Sequence, residues 1–90
     1  MPTPDPTPDP IPELKAQVAR AITDHLNGWS QVNAAALLRT DQPRVSNIRA
    51  GHLERLSLEQ LIRFATRAGA DITIDIKWAR KRWLTGRLAT

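Results

Sequence analysis

Residues 30–51 read SQVNAAALLRTDQPRVSNIRAG, and the fold turns on whether this run is one helix or two. Ser30 is a favoured helix cap, and the Ala-Leu run behind it is strongly helix-forming with small side chains. That helix should be short, ending near Arg39-Thr40, and its small residues let another helix come close. Asp41 is a second good cap, with its carboxylate at the positive end of a new helix. Pro43 falls in the first turn, where a missing N–H costs nothing. Val45 and Ile48, three apart, supply a buried side, and Gly51 closes the segment. The spacing therefore predicts two short helices joined by a tight turn.

The second of these helices is oddly polar. Two short helices with a tight turn, the second arginine-bearing, describe a helix-turn-helix. A recognition helix enters a major groove about 12 Å wide and offers hydrogen-bonding side chains to base edges. With Val45 and Ile48 turned toward Ala35 and Leu38, the residues on or near the outer arc are Gln42, Pro43, Arg44, Ser46, Asn47 and Arg49. Gln and Asn suit adenine, Arg suits guanine, and Ser suits a base or a phosphate. Gln31 opens the preceding helix and, with the amide N–H groups there, is a natural phosphate ligand. It lies eleven residues before Gln42, a spacing that sets two successive helix starts side by side. Arg44 and Asn47 also have a bland reading as ordinary surface residues, which the whole motif outweighs. For Arg49, phosphate contact and a salt bridge to a neighbour stand equally open.

Working outward, Leu14, Val18, Ile22 and Leu26 recur every four residues and mark an amphipathic helix from Pro12 to Asn27-Gly28. Downstream, Ser57 and Gln60 form a capping box, with Leu56 and Leu61 placed as its hydrophobic staple. Leu58, Leu61, Ile62 and Ala65 make the core stripe of that helix, with Phe64 at its edge and Gly69 at its end. Arg63 and Arg67 lie on the opposite side as a solvated face. Then DITIDIKW alternates: Ile72, Ile74, Ile76 and Trp78 on one side, Thr73, Asp75 and Lys77 on the other. Period two with β-branched residues predicts a strand with one buried face. A lone strand cannot satisfy its own backbone groups, and the same strand of a second copy is the simplest partner. The competing reading is a docked extended tail.

MPTPDPTPDP at the start has proline at every second position and should be extended, a tail rather than a Pro-rich ligand. The expected organisation is a Pro-rich arm (1–11), a helix-turn-helix domain (12–69), a dimerisation strand (70–78) and a basic tail (79–90). The fold class is mainly α, four to five helices of phage-repressor-like type, with a C-terminal β-strand pairing across a homodimer.

The net charge is +4 with a pI near 10.7, which suits a polyanionic partner without requiring one. It is unevenly placed: −3 over residues 1–13 and +5 over 77–90 leave only +2 between, so a nucleic-acid face there must come from local arrangement. The chain has no cysteine, hence no disulfide framework and no thiolate site. Two histidines without a carboxylate pattern make no metal site, and no cofactor is implied. No apolar run spans a membrane, and a soluble cytoplasmic protein is expected. No acid/base pair, activated nucleophile or phosphate loop points to an enzyme or a small-molecule substrate.

WSQVNAAALLRTDQPRVSNIRAGHLERLSLEQLIRFATRAG resembles the helix-turn-helix of phage-repressor-like (XRE/Cro-type) regulators. Within that group, QPRVSNIRAGHLERLSLEQL is similar to the run found in small HigA-like antitoxins. The resemblance implies phosphate contact from Gln31 and groove contact from Gln42, Pro43, Arg44 and Asn47, with Ser46 beside them. It also implies binding of double-stranded operator DNA as a dimer, and a small basic ribonuclease toxin of the HigB/RelE-like kind as partner. The alternative is a stand-alone XRE-type regulator without a toxin. One departure is Arg39, where the turn often has Gly; Arg in a left-handed conformation costs about 1 kcal/mol. Trp29 is expected as a lid on the core rather than a base-stacking platform. Trp78 and Trp83 suit base stacking or a dimer or toxin contact equally.

Overall fold

A computed structural model describes residues 8–77. It contains four helices: α1 (Ile11–His25), α2 (Gln31–Leu38), α3 (Gln42–Ala50) and α4 (Leu58–Arg67). Each start has a local cause. The Asp9 carboxylate accepts from the Ile11 N–H at 3.0 Å, and Pro12 lies in the first turn of α1. Ser30 Oγ accepts from Asn33 N–H at 3.0 Å, and Asp41 Oδ1 accepts from Arg44 N–H at 2.8 Å. The capping box at α4 is closed in both directions, from Gln60 N–H to Ser57 Oγ and from Ser57 N–H to Gln60 Oε1.

The turn between α2 and α3 is Arg39-Thr40-Asp41, as the sequence predicts. Arg39 holds φ 56° and ψ 49°, the left-handed conformation usually left to Gly. The Thr40 N–H reaches the Ala35 carbonyl at 3.0 Å, so the helix end is closed despite the strain. Gly51 occupies the same position after α3 at φ 79°, where it is unstrained, and the His52 N–H closes onto the Asn47 carbonyl at 2.9 Å. The same closure pattern thus ends both helices of the motif.

α1 packs against α4 and α3, and α2 against α3 and α4. The core comprises Ala19, Ile22 and Leu26 of α1, Ala34, Ala35 and Leu38 of α2, Val45 and Ile48 of α3, and Leu56, Leu61, Phe64 and Ala65. The buried alanines of α2 admit α3 closely, and Val45 and Ile48 are the residues that hold it down. Leu56 and Leu61 are both buried, as the staple requires.

Two expectations about packing need correction. Phe64 is buried, whereas Leu58 and Ile62 are only partly so; on α1, Leu14 is 38% exposed and Val18 is half-buried. The apolar arc on each helix is wider than the core, so one half packs inward. The other half lines a groove of about 980 Å³ bounded by Leu14, Val18, Leu58 and Ile62 and by residues 70–77. Trp29 is likewise no lid: it is 42% exposed.

The strand expected over 70–78 does not form within the single chain: residues 70–77 are in no strand. One strand alone has nothing to pair with. Ile72, Ile74 and Ile76 are 37%, 71% and 69% exposed. Trp78, Trp83 and the basic tail lie outside the described residues, as does the arm up to Thr7. Among the described residues no helix is long and apolar enough to cross a membrane.

Candidate nucleic-acid interface

With Val45 and Ile48 buried, the rest of α3 divides by its helical geometry. Gln42, Pro43, Arg44, Ser46 and Asn47 are all exposed, and together they form a continuous polar arc on a helix of nine residues. Arg44 and Asn47, three apart, share one flank of that arc. The arc carries both amide side chains and a guanidinium, the groups that pair bidentately with purine edges in the major groove. The structure therefore brings five of the expected groove residues together on one exposed surface.

Arg49 goes elsewhere. It is half-buried, and its Nη2 donates to the carbonyls of Leu26 and Trp29, each at 3.0 Å, while Nη1 donates to Gln31 Oε1. This guanidinium ties the last turn of α3 to the end of α1 and the start of α2. Its charge lies against carbonyls at the C-terminus of α1, the negative pole of that helix. An arginine offers donors only, so the Gln31 amide must turn its oxygen inward and its NH₂ outward. Of the two readings of Arg49, the neighbour contact is the one made in the free chain, although none of its acceptors is a carboxylate.

Gln31 itself is half-buried at the first position of α2. Nothing acidic lies in the first turn of that helix, and its cap is the neutral Ser30. The positive end of α2 is therefore not offset, which suits a phosphate oxygen. α3 differs, because the Asp41 carboxylate caps it. The two helix starts thus have different electrostatics: one receptive to an anion, one already supplied with one.

At the end of α2, Arg67 of α4 donates to the Leu38 carbonyl at 3.0 Å and sits 5.8 Å over the Phe64 ring. Arg63 pairs with Glu59 one turn earlier on the exposed face. The sequence marks these arginines as a plain solvated face. Arg67 in fact stabilises the end of α2, a long-range contact that no local pattern announces.

A family model described as a helix-turn-helix domain matches residues 6–77. The chain belongs to that helix-turn-helix family. Among solved structures, one bearing the name of an XRE family transcriptional regulator is similar with 30% identity and a TM-score of 0.71, over 78% of this chain and 81% of that one. No curated protein matches. This XRE-type helix-turn-helix protein is accordingly a DNA-binding transcription regulator.

Proposed function

We propose that this regulator binds its operator as a homodimer, α3 of each copy lying in a major-groove segment, and represses its own transcription as the antitoxin of a toxin–antitoxin pair. The observation that carries the DNA reading is the exposed arc of Gln42, Pro43, Arg44, Ser46 and Asn47 on a helix held by Val45 and Ile48. Gln31, its amide oxygen engaged by Arg49, donates its NH₂ to a backbone phosphate. Two reading helices address half-sites one helical turn apart, roughly 34 Å.

Dimerisation is supported by the exposure of Ile72, Ile74 and Ile76 on a segment without a strand partner in its own chain. Pairing with the same segment of a second copy satisfies those backbone groups and removes the isoleucines from water. Trp78 continues the alternation in sequence. The antitoxin role rests on the likeness of QPRVSNIRAGHLERLSLEQL to HigA-like antitoxins, and its partner is a small basic RelE/HigB-like ribonuclease.

Capture from the native host, followed by footprinting upstream of its own gene, tests both parts. Co-purification of a small basic protein with a protected upstream segment is the expected result. A footprint without that partner reduces the protein to a stand-alone regulator. A strict monomer with full affinity for a half-site sinks the dimer.

A further inference from the structure

Beside the recognition helix lies a recess of about 210 Å³ lined by Arg39, Arg44, Arg63 and Arg67, together with Thr40 and Gln60. We propose that it is a phosphate-binding site that takes a backbone phosphate of the bound duplex, an anchor separate from the Gln31 contact. This rests on the DNA reading above, and two features of the recess carry it further.

The first is charge. The α2–α3 turn, α3 and α4 all contribute guanidinium groups to one concave surface. Arg63 and Arg67 also stand four apart on α4, where like charges destabilise a helix. Glu59 offsets Arg63, and the Leu38 carbonyl engages Arg67. Among the described residues the Arg39 side chain donates no hydrogen bond to the protein, and Arg44, exposed on α3, adds its charge at the rim. Planar guanidinium forks match phosphate oxygens, and an anion in the recess relieves their mutual repulsion.

The second is backbone strain. Arg39 is the single described non-glycine residue with positive φ. Glycine would close α2 there without strain, so the Arg39 side chain stands in this turn at a cost to the fold. Its position places that charge in the recess. Arg44 belongs both to the recess and to the exposed flank of α3, so a duplex lying along α3 passes the opening.

The test uses the full chain and a random-sequence duplex, because a phosphate contact carries no sequence information. Arg39→Gly should weaken binding on the order of tenfold and lower the slope of log K against log salt by about 1. Its thermal stability should equal or exceed that of the wild type. Arg63→Gln on the exposed face of α4 should lower the slope as well, and Arg20→Ala on α1 should leave it unchanged. Wild-type slope and affinity retained in both recess variants would overturn the proposal while leaving the DNA reading intact. A wild type that does not bind the duplex would overturn the DNA reading itself. A parallel titration with inorganic phosphate follows the amide resonances of Arg39, Thr40 and Gln60. Shifts there, with unchanged DNA slopes in the variants, would mean a free-phosphate site and overturn the assignment to the duplex.

Discussion

Arg44 and Asn47 share a flank of α3, and each can make a two-pronged hydrogen bond to a purine in the major groove. Arg44→Ala and Asn47→Ala should each lose about 1–3 kcal/mol on the native operator and less on random DNA. Titration against both duplexes measures this, and equal losses would make them backbone contacts. Arg49 has a different kind of effect. Its removal takes a donor from the Trp29 carbonyl and the Gln31 oxygen and leaves the Leu26 carbonyl only the Trp29 N–H, so Arg49→Ala should cost about 1–3 kcal/mol of folding stability in denaturant melts. Arg49→Lys should recover only part, because an ammonium lacks the fork that spans three acceptors. An unchanged midpoint for Arg49→Ala would show that the clamp contributes nothing in solution. The residue type announced Arg44, Asn47 and Gln42 as candidate readers from position alone. It could not announce Arg49 as a clamp, because its three acceptors lie 18 to 23 residues earlier in the chain.

At the scale of elements, the helix starts follow from single side chains. Ser30, Asp41 and Ser57 cap where the sequence places caps, because a capping bond is made within three residues. Ser57→Ala, which breaks the capping box of α4, should cost about 1 kcal/mol. Thermal melts followed by circular dichroism check it, and a loss near zero would mean that packing of Leu61 and Phe64 alone sets the start of α4. Which half of an apolar arc is buried is less local. Periodicity finds Ile22, Leu26, Leu61 and Ala65, which are core, together with Leu14, Val18, Leu58 and Ile62, which line the groove, while Ala19 and Phe64, at the edges of the stripes, are buried. The rotation of a helix about its own axis is set by the neighbours it meets, and a 3.6-residue period is blind to that.

For the whole molecule, the segment 70–77 is the open edge. Ile74 and Ile76 stand exposed and make no contact that α1–α4 need for folding, so replacing both with Asp should leave the helical signal intact. If the proposed dimer pairs through this segment, the same change should leave a monomer in sedimentation and weaken operator binding steeply, since two linked reading helices become independent. A persistent dimer would move the interface elsewhere. By itself the sequence located the helices, the caps of α2, α3 and α4, the tight turn through Arg39 and the polar arc of α3, because each depends on residues no more than about one or two turns apart. Tertiary structure alone decided that Phe64 is core, that Trp29 is exposed, that Arg49 holds Gln31, and that arginines from three elements meet around one recess. Those outcomes depend on the distances between helices, which local propensity does not encode and the packing of one core shared by all four helices sets.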